Sequence, residues 1–284
     1  MKRFKTIFLI TTLFSTISQR QFFGQTMFAT SPDSVQIAYE IHGDKAPTLV
    51  FVHGWSCDRS YWKEQLEALA GNYKVVAIDL AGHGESGLSR RSWTIEAFGA
   101  DIVTVIKKLG LKNVIMIGHS MGACVIAEAA RQLPRDIVAG LVFVDQYKQL
   151  HTPRTPEEIQ AFATRLEKKF SDSVAAFVRR MFHPKSDSSL VERVAMDMSS
   201  APPAVALAAF RSTWAYSNQI TNTLEELKLP VIFINSDNRP TDTASIERYG
   251  VQVMIMPGVG HFLMMEDPER FNVLLKTAIG KIVR

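Results

Sequence analysis

Two side chains and two backbone amides in this chain have the types and settings needed to attack a carbonyl carbon. Ser120 stands in Gly118-His119-Ser120-Met121-Gly122, between the apolar run NVIMI and a helix-forming stretch that begins at Met121. A serine hydroxyl is a weak nucleophile at neutral pH and needs a base to take its proton. His261, in GVGHFLMMEDP, follows the last apolar run of the chain. An imidazole that titrates near neutrality can accept that proton and return it to a leaving group. Negative charge then develops on the substrate oxygen and needs donors aimed at it. FVHGW ends the first strongly apolar run and turns at Gly54, so the amides of Trp55 and Met121 are the candidate oxyanion hole. His53, Gly54 and His119 flank these turns and are expected to contact substrate, with Phe182 and Trp214 joining them from a later helical segment.

These positions make sense only if particular elements hold them. Glycine-x-serine-x-glycine alone arises often by chance; the strand before it and the helix after it are what give it meaning. A sharp strand-to-helix turn crowds the serine against neighbouring backbone, and Gly118 and Gly122 leave the room it needs. The helix N-terminus aims unpaired amides at whatever sits above Ser120. A lone histidine is usually a satisfied structural residue. His261, however, sits at the C-terminal end of the last predicted strand, the sheet edge where open parallel sheets hold ligands.

The rest of the chain supplies that sheet. TLVFVHG, KVVAIDL, NVIMIGH, GLVFVDQ, PVIFINS and VQVMIMPG are near-continuous apolar runs suited to strands buried on both faces. SVQIAYEIHG alternates like an antiparallel strand with one wet face. Between the runs, SYWKEQLEALA, TIEAFGADIVTVIKKLG, MGACVIAEAARQL and PERFNVLLKTAIGKIV carry apolar residues at helical spacing. The pattern predicts an α/β fold, a mostly parallel sheet covered by helices. From residue 148 to 223 the strand signal vanishes and four helical stretches take over, predicting a helical cap inserted between core segments 25–147 and 224–284. Phe162, Phe170, Phe177, Met181, Phe182, Met196, Met198, Phe210 and Trp214 belong to this cap; those facing the sheet are expected to line an apolar pocket. No internal repeat or low-complexity tract interrupts the pattern.

With 284 residues, 46% of them hydrophobic, the chain can bury a large core. Its 32 basic against 28 acidic residues leave too small and scattered an excess to argue for nucleic acid. Lys2, Arg3 and Lys5 precede a mostly apolar stretch from Thr6 to Ile17, the pattern of an export signal over residues 1–24, with Thr16-Ile17-Ser18 or the Gly24-Gln25 region as the cleavage site. The stretch is too short to serve comfortably as a permanent span, so the expectation is a periplasmic or secreted protein with no stable membrane span after signal removal. Cys57 and Cys124 make no disulfide framework and are expected to be free core residues.

Taken together, HGW at 53–55, DLAGHGES at 79–86, GHSMG at 118–122 and GVGHFLMMEDPERFN at 258–272, in that order, resemble the α/β-hydrolase superfamily. The resemblance spans the chain from Met27 to its end. It implies an eight-stranded, mostly parallel sheet, a serine nucleophile, a histidine base, a helical cap after the sixth strand, and neither cofactor nor metal. The serine sets the chain apart from superfamily branches that use an aspartate nucleophile. DLAGHGES reads as a structural turn, with His83 a loop residue.

The third member of a triad, a carboxylate on the far side of the imidazole, is harder to place. Most relatives carry it in the loop after the seventh strand. Here that loop is INSDNRPTD, and the usual position holds Arg239, which cannot accept the imidazole hydrogen bond. Asp145, ending the sixth strand in LVFVDQ, is the first choice. Asp237, two residues early in the expected loop, is the alternative; Asp242 reads better as a helix cap. Arg239 would then be available to pair with a cap carboxylate. The expected activity is hydrolysis of a small-molecule ester or lactone of small-to-medium apolar character. Carbon–carbon, amide or perhydrolysis chemistry on the same triad, or a slow ligand-sensing receptor, are the alternatives.

Overall fold

In the computed structural model, which describes residues 24–150 and 152–284, the apolar runs become one eight-stranded sheet. The expected export signal falls almost wholly outside the described residues. β1 (Met27–Thr30) pairs antiparallel with β2 (Gln36–His42), and β2 pairs antiparallel with β4 (Lys74–Ile78). β3 (Thr48–Val52), β5 (Val114–His119), β6 (Val138–Val144), β7 (Val231–Ser236) and β8 (Gln252–Met256) continue the sheet in parallel with β4. The spatial order is β1-β2-β4-β3-β5-β6-β7-β8. β3 and β5 are buried along their whole length, which explains their unbroken apolar runs.

Two strands depart from their expected exposure. β2 has no fully wet face: Glu40 is buried, with its carboxylate 3.6 Å from the Arg59 guanidinium and 3.0 Å from the His42 ring. A loop-borne cation thus covers the face that the alternation left polar. β8, expected to be buried on both faces, is the sheet edge and leaves Gln252 and Ile255 exposed, because no strand follows it in the order.

After a 3₁₀ turn (Arg59–Trp62) come α1 (Lys63–Leu69), α2 (Ile95–Lys108) and α3 (Met121–Gln132). Thr94 caps α2, accepting from the Ala97 amide at 3.3 Å. The cap consists of α4 (Pro156–Glu167), α5 (Phe170–Arg179), α6 (Ser188–Ser199) and α7 (Pro203–Ser217). A reciprocal Thr155–Glu158 capping box and Pro156 start α4. α8 (Ile220–Leu227) runs through the expected boundary at residue 223. Its apolar face packs on α3, as does part of α7. α9 (Thr243–Glu247), α10 (Leu263–Glu266) and α11 (Pro268–Ile282) complete the chain; α11 packs on α1, β6 and β7. Among the described residues, no helix is long and apolar enough to cross a membrane.

Candidate active site

Ser120 occupies the turn between β5 and α3 with φ 51° and ψ −119°, a left-handed backbone that a non-glycine residue holds only under constraint. The constraint is visible on both sides. A Cβ on Gly118 would lie 2.3 Å from the Gly122 carbonyl oxygen, and one on Gly122 would lie 2.5 Å from that of Val52 and 2.6 Å from that of His53. The Ser120 amide donates to the Val144 carbonyl at 2.9 Å, tying the turn to the end of β6.

One residue beyond that carbonyl is Asp145, also at positive φ (47°). Its amide donates to the Ile234 carbonyl on β7 at 2.9 Å, while its side chain turns toward the loop after β8. There Asp145 Oδ2 lies 2.8 Å from His261 Nδ1. A carboxylate can only accept, so Nδ1 carries the hydrogen, and in the neutral ring the free lone pair is on Nε2. Oδ1 accepts from the Ser236 amide (2.6 Å), the Ser236 hydroxyl (2.8 Å) and Lys148 Nζ (3.0 Å). Burial pushes the Asp145 carboxyl up; the hydrogen bond and charge of His261, the Lys148 ammonium and the Ser236 amide overcome this and hold it at about 2.

Asp237, the alternative acid, spends Oδ1 on the Gly258 amide at 2.8 Å and pins the turn after β8. Asp242 caps α9, accepting from the Ser245 amide at 3.1 Å. Arg239 is exposed and makes no ion pair with another described residue, so the expected cap carboxylate does not meet it.

Neither the Trp55 amide nor the Met121 amide donates to a protein acceptor among the described residues, as an oxyanion hole requires. The Trp55 indole donates from Nε1 to the Ala206 carbonyl of α7 at 2.6 Å, so the loop after β3 hangs from the cap. Around it the rings of Phe177, Phe210, Phe162 and Trp214 form a chain: Trp55 to Phe210 is 5.6 Å, Phe210 to Trp214 is 4.4 Å and Phe162 to Phe210 is 5.0 Å. Trp214, expected at the substrate, is thus linked to Trp55 through Phe210, with the Arg154 guanidinium 4.0 Å above its ring. Met196 turns to solvent and lines nothing.

Three expected substrate contacts, His53, His119 and Phe182, are packed into the protein around the site. His53 is fully buried: Nε2 accepts from the Leu80 amide at 3.0 Å and Nδ1 donates to the Gly54 carbonyl at 2.8 Å, which occupies that carbonyl too. His119 is wedged behind the base, its ring 4.6 Å from that of His261 and its Nε2 donating to the His261 carbonyl at 2.9 Å. Phe182 stacks on Phe262 at 4.9 Å and braces the histidine loop. His119 sits where two turns close tightly, a Cβ on Gly54 falling 2.8 Å from its Nδ1. His83 is a buried loop residue, as expected, with Nδ1 3.0 Å from the Ala81 carbonyl. In the same turn Asp79 binds the Arg59 guanidinium and the amides of Arg59 and Glu85. Cys57 and Cys124 are both buried and free.

The mounting of His261 contains residues that motif reading passed over. Its amide donates to the Met181 carbonyl in the α5–α6 loop at 2.8 Å, and Asn238 reaches the same carbonyl at 3.3 Å. Glu266 accepts from the amides of Gly260 (2.9 Å) and Phe262 (3.2 Å) and from the Ser186 hydroxyl. One carboxylate therefore clasps the base's loop and a cap residue together. Glu266, five residues after the histidine in GHFLMMEDP, had only its charge amid apolar neighbours as a signal. Two open clefts, of about 540 Å³ beside Glu128 and Arg135 and about 460 Å³ beside Arg180 and His183, are lined by neither Ser120 nor His261.

Comparison with known proteins bears on the fold and the family. A thermophilic esterase from Thermogutta terrifontis superposes with a TM-score of 0.78 at 27% identity, covering 91% of this chain and 99% of that one. The acetyltransferase component of the acetoin cleaving system of Cupriavidus necator is 26% identical over 267 residues, 87% of this chain and 67% of its own. A bifunctional esterase/perhydrolase of Acinetobacter calcoaceticus is 32% identical over 119 residues, 41% of this chain and 43% of its own. Residues 49–273 match the alpha/beta hydrolase family, and the chain belongs to it.

Proposed function

We propose that this protein is a serine hydrolase that cleaves carboxylic esters or lactones through an acyl-enzyme. The observation that carries the reading is the buried Asp145 carboxylate on Nδ1 of His261, which leaves Nε2 as base at the same sheet edge as the Ser120 turn. Ser120 Oγ attacks the carbonyl carbon as His261 takes its proton. The Trp55 and Met121 amides hold the oxyanion. Collapse expels the alcohol, which leaves with the proton from His261, and water then repeats the sequence in reverse to free the acid. The contiguous rings from Trp55 to Trp214 favour a small or medium apolar acyl group over a charged one. The likeness to a thermophilic esterase supports ester cleavage.

Steady turnover of p-nitrophenyl acetate and butyrate, with a lactone panel alongside, tests this. A single stoichiometric burst followed by silence would support the receptor reading instead. The likeness to an esterase/perhydrolase favours one second reading, in which hydrogen peroxide replaces water and a peracid is released. Peracid formation from acetate esters in the presence of peroxide checks it. The basic and apolar residues from Lys2 to Ile17 support export of the mature enzyme, which N-terminal mass spectrometry of protein recovered outside the cytoplasm would test.

A further inference from the structure

The acid carries a partner that its hydrogen-bonding needs do not call for. Ser236 offers Asp145 Oδ1 its amide and its hydroxyl, whose single hydrogen also has Asn238 Oδ1 in reach, 2.8 Å from Oγ. Lys148 adds a third donor at 3.0 Å, and with it a full positive charge, against a carboxylate only 1% exposed. The lysine is itself held in place. Its side chain is 16% exposed, and Nζ also donates to the Ser236 carbonyl at 2.6 Å and lies 3.0 Å from the Ser236 hydroxyl. Its own carbonyl accepts the Asp242 amide at 2.8 Å, ahead of α9. This is a fixed cation three residues beyond the acid, on the opposite carboxylate oxygen from the base.

We propose that Lys148 is a positioning residue of the acid–base pair, whose charge sets how far into acid the enzyme keeps His261 free to act as base. The inference rests on the triad reading above. A carboxylate alone favours a proton on its imidazole partner; a carboxylate already paired with an ammonium favours it less, because the cation repels a second positive charge at short range in a buried setting. With Ser236 and Lys148 both on Oδ1, Oδ2 faces Nδ1. Among the described residues, the other groups around His261 supply no competing ion pair. His119, 4.6 Å away ring to ring, is held neutral by burial. Glu266 faces the backbone of the loop through the Gly260 and Phe262 amides, and Asp237 is bound to the Gly258 amide. The cap contributes the Met181 carbonyl to the His261 amide.

The test compares Lys148→Met and Lys148→Arg with the wild type. With p-nitrophenyl butyrate, read at its isosbestic wavelength, the acidic limb of kcat/KM for Lys148→Met should move about one pH unit toward alkaline, while kcat above the limb stays within about tenfold. Lys148→Arg keeps the charge and should leave the limb where it was. A second readout needs no substrate: the ring titration of His261 by NMR, assigned by loss of its signal in His261→Gln, should shift the same way. Lys148→Gln, which keeps a donor toward Ser236, serves in place of the methionine variant if that does not fold. An unmoved limb and unmoved ring titration in a folded, charge-free variant overturn the proposal. So does an arginine variant that shifts as far as the methionine one. If no ester is turned over at all, the function reading fails and the ring titration alone judges Lys148.

Discussion

Asp145 and His261 are 116 residues apart in sequence and belong to the ends of β6 and β8, yet their side chains meet at 2.8 Å across the intervening end of β7. Three features of the backbone make the span possible. Asp145 bends into positive φ as soon as its amide has bonded β7. β7 ends in Ser236, small enough to lie beneath the carboxylate and donate to it. The histidine loop is pulled inward by the Met181 carbonyl and by Glu266. Asp145 thus reaches His261 from the strand next to the one that carries Ser120, and Asp237 is left to pin a turn.

Asp145→Asn is expected to lower kcat by about 10² to 10⁴, because the amide can present a donor to Nδ1 and leave the wrong tautomer. Asp237→Asn should cost less than about tenfold. Steady-state kinetics on one ester, with thermal melts of both variants, check this. A crippled Asp237 variant beside a mild Asp145 variant would assign the acid the other way.

Ser120→Ala should abolish both the acylation burst and steady turnover, retaining less than about 1% of wild-type kcat, and His261→Ala should fall within about tenfold of it. Stopped-flow release of p-nitrophenol measures both phases. Residual activity well above that level would remove Ser120 from the chemistry.

Acid pH should unmask the Asp145 interactions in the stability curve. Its folded carboxyl is held at about 2, against 3.8 as the ordinary value. The folded state therefore binds the proton less tightly, and the stabilisation is present above about pH 4 and lost as pH falls through about 2, an effect on the order of 2 kcal/mol. Denaturant melts of wild type and Asp145→Asn across that range should show their difference shrinking with acid; a constant difference would contradict it.

His53, His83 and His119 should remain neutral from about pH 8 to about pH 5. Burial lowers them to about 4, 3 and 3, with neighbouring histidines adding to the effect on the last two. Since the unfolded rings titrate near neutrality, each contributes stability that falls away as pH drops from that point toward its folded value. Ring nitrogen shifts by NMR give a direct check, and titration of any of the three near pH 6 would show it to be solvated.

Gly122→Ala should destabilise the fold by about 1 to 3 kcal/mol and depress kcat, since its Cβ would strike two backbone carbonyls that cannot rotate away. Gly71→Ala, whose Cβ meets nothing within 4 Å, is the control and should stay within about 0.5 kcal/mol. Equal melts for the two would show that the elbow relaxes freely.

What the sequence by itself determined is whatever depends on neighbours along the chain. The parallel strands could be read from their apolar runs, the cap from four helical stretches, and the Ser120 turn from glycines two residues to either side. His261 could be read from its place after the last strand. β1, four residues long, carried too short a pattern to be seen, and the burial of β2 and β8 depended on what lay beside them. Tertiary structure alone decided which carboxylate meets His261, because choosing between Asp145 and Asp237 requires knowing that β7 ends in a serine that lets β6 reach past it. It also decided that His53 and His119 are buried in the core, since Gly54 and Gly122 draw the turns after β3 and β5 together more closely than motif spacing implies. Lys148 was invisible for the same reason. A lysine three residues after a strand reads as a solvated surface charge until the fold brings Ser236 and the carboxylate of Asp145 up to it.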